Sequence, residues 1–261
     1  FRPTDMEFGP DGALWVLDQS SGYGAEWKDG QLANEGRIFR IAWKDAPAAA
    51  ELRTDKLLDA FTIDELIHEF DSLLPVRRIN AQDELVRRGK PVVPRILQRL
   101  SAGRLTENQE TWSVWALGRI PGVGSFSDYL LDTLSVNSKA SLNLQVQAVR
   151  ILAYRAKQLG QTAGLATGLH TALRHRQPRL RFAAVGAMHE TRQSAVVPEL
   201  LATLQHESDT AVFYAGWQAL RALQSTSQLR TLLSDSRSAV RRAALLGLLE
   251  THASNQTEVR K

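Results

Sequence analysis

Two hydrophobic periodicities divide the chain. In the opening segment apolar and polar positions alternate, at Met6 and Phe8 and again at Leu14 and Val16, which is the period of a half-buried β-strand. From Thr62 onward the apolar positions recur every three or four residues, as in an amphipathic α-helix. The pattern therefore predicts a short antiparallel β segment followed by a long helical region.

Three strands are predicted in the β segment. Pro10-Asp11-Gly12 makes the first turn, because Pro restricts φ and Gly permits a positive φ. A Gly-rich polar loop occupies 19–36, and alternation returns at Gly36-Arg37-Ile38-Phe39-Arg40-Ile41 as the third strand. A lone hairpin buries too little apolar surface to fold by itself. We therefore expect this segment to belong to a larger body upstream of Phe1.

The helical region repeats itself. Thr62 and Glu65 form a capping-box pattern that predicts the start of the first helix. Small residues then recur in the middle of successive helices at intervals of 28 to 35 residues, and a second apolar helix follows each of them. Two helices per 30–40 residues are typical of an α-solenoid, here of five to six units. The small positions are Ala81, Ala116, Ala148, Ala183, Ala215 and Ala243.

Composition separates the same two segments and excludes several kinds of chemistry. Residues 1–60 hold 7 Lys/Arg and 11 Asp/Glu, whereas the remainder holds 25 and 17. The absence of Cys excludes disulfides, thiolate metal sites, Cys nucleophiles and covalent haem attachment. No apolar run of about 18 residues predicts a membrane span. The last helix is expected to end near His252 without a polar capping unit, which predicts truncation at that end too.

Two groups of motifs resemble known families. Pro178–Ala184 and Ser236–Ala244 resemble HEAT repeats, whose Asp and Val-Arg positions are matched by Asp235, Val240 and Arg241. The string FRPTDMEFGPDGALWVLD, with its glycine loop and GRIFRI, resembles the closing blade of glucose/sorbosone dehydrogenase-like β-propellers. INAQDELVRRG resembles the first HEAT unit of planctomycete-type multidomain membrane-bound dehydrogenases, in which a cytochrome c domain follows the repeats.

The resemblance implies a division into three parts: a propeller blade over 1–43, a linker over 44–61 and a HEAT solenoid over 62–261. It also implies a periplasmic parent protein that oxidises a sugar or alcohol, holds Ca²⁺ and passes electrons to haem c. Because Cys-x-x-Cys-His and most of the propeller are absent, we expect this chain alone to be catalytically inert and to bind no cofactor. Its HEAT part would be a spacer and docking scaffold between the rest of the propeller and a downstream cytochrome-like domain.

Two alternatives remain open. The first is a non-enzymatic scaffold that holds a protein or peptide on the concave face of the HEAT repeats. The second, which the mild positive charge disfavours, is a HEAT protein that binds nucleic acid through a stripe of arginines. The stripe candidates lie near turns between helices and are Arg179, Arg181, Arg237, Arg241 and Arg242. The structural alternative for them is a ladder of ion pairs between units, with Asp209 and Asp235 as partners.

The β segment carries the remaining candidates. Asp5 and Asp18 lie at matching positions beside two strands and are candidate Ca²⁺ ligands; the alternative is that both cap turns. Tyr23, Glu26 and Trp27 in the glycine loop are candidates for stacking on, or hydrogen-bonding to, a sugar-like ligand, or else belong to an ordinary surface loop. No spacing of the six histidines predicts a metal site, and no catalytic triad is recognisable.

Overall fold

The computed structural model divides into two compact units, Phe1–Ala116 and Leu117–Lys261. In the described part of the chain the fold is mainly helical, an α-solenoid preceded by a short antiparallel sheet, as the sequence predicts. The residues that the structure describes are 3–9, 12–18, 27–28, 31–32, 36–44 and 56–259.

Three antiparallel strands form the predicted sheet. They are β1 (Pro3–Phe8), β2 (Leu14–Asp18) and β5 (Arg37–Ile41), in the order β1-β2-β5. Within the predicted loop, β3 (Trp27–Lys28) and β4 (Gln31–Leu32) pair as a separate two-stranded ribbon. The three predicted strands are thus confirmed, and the ribbon is an addition.

The predicted alternation of burial is wrong for the first strand. Every residue of β1 is exposed, with Met6 62% and Phe8 49% accessible. Burial in the described sheet is confined to its centre, at Ala13, Val16 and Asp18. The reason is geometric, because β2 has a paired neighbour on each side whereas β1 is an edge strand of a three-stranded sheet.

Twelve α-helices follow in the described residues, and they make six successive helical pairs. One of them spans Leu142–Leu159 and is followed by Gly160, whose φ of 65° ends the helix in the left-handed region. The helices are α1 (Ile63–His68), α2 (Pro75–Arg88), α3 (Val93–Ser101), α4 (Glu107–Arg119), α5 (Ser125–Leu134), α6 (Leu142–Leu159), α7 (Leu165–Leu173), α8 (Pro178–Glu190), α9 (Val197–His206), α10 (Thr210–Leu223), α11 (Thr226–Leu232) and α12 (Ser238–Val259).

Polar contacts join successive helical pairs of the first unit. The predicted capping box starts α1, where Glu65 N–H donates to Thr62 Oγ1 at 3.2 Å. Asp64 on α1 accepts from Arg95 Nε on α3 at 3.1 Å. Gln82 Nε2 on α2 donates to the carbonyl of Trp112 on α4 at 3.0 Å. Equivalent helices of neighbouring pairs are therefore tied to each other through their side chains.

The second unit is built in two layers. The second helices of its pairs, α6, α8, α10 and α12, pack side by side in that order. The first helices α5, α7 and α9 form the other layer, with α7 against both neighbours. Buried aliphatic and aromatic side chains such as Phe126, Leu169, Leu200 and Leu220 fill the space between the layers.

One position of the second helices always carries a small, buried residue. This is the seventh residue of the helix, and its small size lets a neighbouring helix approach closely. At Gly216 an added Cβ would lie 2.7 Å from Leu204 Cδ2. Two of the predicted small positions, Ala81 and Ala148, coincide with this seventh position. The other four lie one residue before it or three residues after it, and of these only Ala215 is not buried. The observed set is Ala81, Ser113, Ala148, Ala184, Gly216 and Ala244.

The predicted end of the last helix is also wrong. α12 runs to Val259 and not to His252. Residues 253–259 contain neither Gly nor Pro, so nothing in their covalent structure opposes continuation of the helix. None of the described helices combines the length and hydrophobicity that crossing a membrane requires.

Candidate functional site

The two candidate aspartates of the sheet do not converge. Asp5 lies opposite Leu17 in the β1–β2 pairing. Asp18 is the next residue of β2, and successive side chains of a strand point to opposite faces. Asp5 Oδ1 accepts the N–H of Met6 at 2.8 Å, a contact between adjacent residues of β1. In the described residues no group of three or more His, Cys, Asp or Glu side chains is placed to hold a metal ion.

The ligand candidates of the glycine loop remain predictions. Tyr23 and Glu26 lie outside the described residues. Trp27 opens β3, where its backbone is paired with Leu32. The parent's Ca²⁺ and sugar-like substrate are therefore untested by the geometry of this segment.

Three of the five stripe arginines use their guanidinium groups for hydrogen bonds within the protein. Arg181 on α8 makes two 2.7 Å hydrogen bonds to Glu207, the residue that follows α9 in the next pair. The Arg181 side chain is 14% exposed and that of Glu207 is fully buried. This ion pair joins two successive helical pairs, as the structural alternative for the stripe described, but its acidic partner is Glu207 and not an aspartate.

A repeated contact fixes the start of the second helices. The fourth residue of α8, Arg181, donates to the carbonyls of His175 and Arg176, six and five residues earlier. The fourth residue of α12, Arg241, donates in the same way to the carbonyls of Asp235 and Ser236. Each guanidinium group donates to the carbonyl groups of the turn that precedes its helix. This contact explains why arginine recurs at the fourth position, with its charged group directed toward that turn.

Arg237 is held within its own turn. Its Nε and Nη2 donate to the carboxylate of Asp235 at 2.8 and 2.7 Å. The Arg237 side chain and backbone N–H together lower the pKa of Asp235 to about 2. Asp235 thus pairs within its own turn, whereas the sequence predicted it as a partner that joins successive repeats.

Arg179 and Arg242 remain exposed. Arg242 lies over the ring of Phe213 on the neighbouring helix α10, 4.3 Å from the ring centroid, within the range of a cation–π contact. The predicted stripe therefore consists of three arginines that hydrogen-bond to their own turns or to a neighbouring carboxylate, and of two exposed arginines.

The second-helix layer of the second unit also presents an exposed apolar surface. Phe182 and Tyr214 are the fifth residues of α8 and α10, and they are 47% and 59% exposed. Arg242 occupies the same position of α12. We call this the α8–α10–α12 face, and define it by Phe182, Tyr214, Arg242, Leu245 and Leu249; the two leucines are 48% and 58% exposed.

Buried neighbours orient the face. The ring of Tyr214 meets that of Trp217 edge-on, with centroids 5.2 Å apart. Trp217 and Phe213 are each 8% exposed, so both are packing residues. Gln218 Nε2 donates to Tyr214 Oη at 3.4 Å and to Glu250 at 2.9 Å. Tyr214 is therefore supported from below while its outer surface stays accessible.

Sequence analysis missed this face. Phe182 and Tyr214 are 32 residues apart, which is one repeat, so aligning the repeats by the first residue of each second helix places them together. The small residues Ala183 and Ala215 are separated by the same 32 residues, so the repeat itself pairs Phe182 with Tyr214, and only the structure shows that both are exposed.

Comparisons with known proteins support the fold. No family model matches the chain, and no curated protein does. The X-ray structure of YibA from Escherichia coli is similar over 73% of this chain and 71% of that chain, with 19% identity and a TM-score of 0.50. A designed armadillo repeat protein in complex with the peptide (KR)4 matches 72% of this chain and all of that one, at 16% identity and a TM-score of 0.37. The CpcE–CpcF complex of phycocyanin lyase from Nostoc matches 71% and 96%, at 21% identity and a TM-score of 0.30. The helical region is a HEAT/armadillo-like solenoid.

Proposed function

We propose that this protein is a non-enzymatic scaffold that binds an extended segment of a partner protein on the α8–α10–α12 face, and that the segment carries carboxylates beside apolar side chains. The observation that carries the proposal is the exposure of Phe182 and Tyr214 at equivalent positions of neighbouring helices. Large exposed apolar groups cost solubility and mark interaction surfaces when they occur together.

The repeat geometry suits an extended partner. Equivalent positions of packed helices recur at about 8–10 Å, and an extended chain spans that distance with about three residues. A bound strand can therefore place one side chain on each of α8, α10 and α12. Aromatic side chains supply large contact areas with few rotatable bonds, which favours them at binding hot spots.

The positive charge of the second unit favours a partner that carries carboxylates. The second unit holds 17 Lys and Arg against 9 Asp and Glu. On the face itself Arg242 has its cation over a ring and not on a carboxylate. Arg179, on the first turn of α8, is exposed and has no ion pair or hydrogen-bonding side chain among the described residues. Carboxylates of a partner would complement both cations and speed association.

The test is affinity selection from a random peptide library on the full chain. We expect enrichment of sequences that combine Asp or Glu with Leu, Ile or aromatic residues, and weaker binding at higher salt. The double substitution Phe182→Ser with Tyr214→Ser should weaken a selected peptide at least about tenfold, since it removes two anchors.

Leu73→Ser provides the matched control for this experiment. Leu73 is 78% exposed, lies between α1 and α2 and is not one of the residues that define the face, so its replacement should leave affinity unchanged. Equal binding to the double variant and to the wild type would refute the proposal.

The other two hypotheses from the sequence have less support than this one. Nucleic-acid binding is less supported, because Arg181, Arg237 and Arg241 direct their donors to the protein itself. The dehydrogenase parent, with its haem c, Ca²⁺ and periplasmic location, gains no support from the comparisons and stays a prediction from the resemblance.

A further inference from the structure

The turn between α7 and α8 lines two adjoining cavities of the second unit. The larger has a volume of about 570 Å³, and the rest of its lining comes from Thr171 on α7, the end of α5, the turn after α5 and the start of α6. The smaller, of about 450 Å³, extends toward α9. Arg174, His175 and Arg176 belong to both linings. Volumes of 300–1,000 Å³ are typical of small-ligand sites.

The charge of the larger cavity is one-sided. Its lining contains two arginines and no Asp or Glu. The guanidinium of Arg176 has no ion pair or hydrogen bond within the described part of the chain. In the smaller cavity Glu199 and Glu207 are already bound by Arg174 and Arg181. The larger cavity therefore holds positive charge that the protein itself does not neutralise.

Hydrogen-bond donors accompany that charge. Arg174 uses Nε and Nη2 on Glu199, at 2.8 and 2.6 Å, which leaves Nη1 on a side chain that is 71% exposed. Burial and the neighbouring Arg176 and Arg181 lower the pKa of His175, which favours its neutral form. His175 Nδ1 accepts the N–H of Gln177 at 3.1 Å, so the neutral ring carries its proton on Nε2.

Serine hydroxyls complete the set of donors. Ser135 and Ser138 belong to the lining contributed by the turn after α5. Ser138 Oγ accepts the N–H of Ala140 at 3.1 Å, and its hydroxyl proton is still available to donate. The lining thus offers guanidinium, imidazole and hydroxyl donors together.

We infer that the larger cavity binds an oxyanion, the carboxylate or phosphoryl group of a ligand, between Arg176 and the serine-containing turn. Guanidinium groups match both anions in geometry, and charge-assisted hydrogen bonds are about twice as strong as neutral ones. The inference rests on the cavity alone and does not require that the α8–α10–α12 face bind a peptide.

The experiment is a titration of the ¹⁵N-labelled full chain at constant ionic strength. The probes are inorganic phosphate, N-acetyl-phosphoserine amide and N-acetyl-glutamate amide. We expect saturable shifts of the amides in the turns after α5 and α7. Tighter binding of a blocked amino acid than of phosphate would identify a protein side chain as the source of the anion, and the reverse would identify a free anion.

Two variants decide whether the site is the one named. Arg176→Gln should weaken binding at least tenfold, whereas Arg230→Gln, which removes an exposed arginine outside both linings and outside the α8–α10–α12 face, should leave it unchanged. Arg176 is exposed, so its replacement should not alter the thermal unfolding curve. Equal losses in both variants, or the same shifts from chloride, would show non-specific screening and overturn the inference.

Discussion

The two units use the same helical pair but distribute charge differently. The first, Phe1–Ala116, holds 15 Lys/Arg and 19 Asp/Glu, a net charge of −4, and the second holds 17 and 9, a net charge of +8. In the first unit carboxylates bind arginines tightly: Glu84, 8% exposed, accepts from both Arg87 and Arg88 at 2.7 Å. In the second unit a guanidinium is buried without such a partner, at Arg155.

The fifth position of the second helices differs too. In the first unit it is Ile79 on α2, an aliphatic residue that is 48% exposed, and Thr111 on α4, which is half-buried. In the second unit it is the buried Val146 on α6, which is 1% exposed, and then the exposed Phe182, Tyr214 and Arg242. The comparison teaches that interior positions maintain the helical pair in both units, whereas outward positions vary because the fold does not constrain them. Binding function is accordingly expected where the outward positions are aromatic and basic.

The largest expected effect tests the buried cation of the second unit. Arg155, 1% exposed, donates from Nη2 to the carbonyl of Val123 at 2.8 Å and lies 5.5 Å from the ring centroid of Phe126. Arg155→Ala leaves a cavity and a carbonyl without its donor, so we expect the free energy of unfolding to fall by about 3 kcal/mol. Arg150→Ala, an exposed site on the same helix, should cost under about 0.5 kcal/mol. Chemical denaturation measures both, and similar losses would contradict the role of Arg155.

The next effect tests the close approach of helices in the second unit. Gly216→Val places a side chain 2.7 Å from Leu204 Cδ2, and overpacking of this kind costs about 1–3 kcal/mol. Gly186→Val is the matched control, because no atom lies within 4 Å of a Cβ built at Gly186 on α8. Thermal unfolding should separate the two, and an unchanged melting temperature for Gly216→Val would show that the site can relax.

A smaller effect tests the paired charges of the first unit. Arg87 and Arg88 lower the pKa of Glu84 from 4.5 to about 2. A depressed folded-state pKa adds stability above the unfolded value, and this contribution disappears as pH falls toward 2. The melting temperature of the wild type should therefore exceed that of Glu84→Gln at pH 6, and the difference should vanish near pH 2. A difference independent of pH would show that the carboxylate charge is not its cause.

The smallest expected effect on stability concerns the binding face. Phe182→Ser and Tyr214→Ser remove side chains that are about half exposed, so each should change the free energy of unfolding by less than about 1 kcal/mol. Ile79→Ser should be similarly mild and should also leave affinity for a selected peptide intact. Losing binding without losing stability would set the two units apart by function, whereas unfolding of either face variant would assign the aromatic residues to the core.

The fold could be predicted from periodicity because burial imposes it. The capping box at Thr62 and Glu65 formed as expected, since it requires only four consecutive residues. The small positions were less predictable: Ala183 and Ala184 are adjacent in sequence, and only packing against α6 and α10 selects Ala184 as the fully buried one. A helix turns by about 100° per residue, so an error of one residue changes the face.

In the candidate sites too, local features could be predicted from the sequence, whereas contacts between distant residues could not. Arginine at the start of the second helices was recognisable, but its destination was not, because Glu207 lies 26 residues from Arg181 and becomes its partner only when α8 and α9 are placed. The cavity at Arg176 combines turns that are separate in sequence, after α5 and after α7. No local pattern marks such a combination.

The sequence alone determined most of the secondary structure, the repeat and the uneven charge, because each depends on neighbours within one or two helical turns or on composition. Tertiary structure decided which small residues meet, which arginines are consumed by carboxylates and carbonyls, and which aromatics stay exposed. These outcomes depend on helices about 30 residues apart in the chain approaching to about 8–10 Å, and that approach exists only in the folded protein.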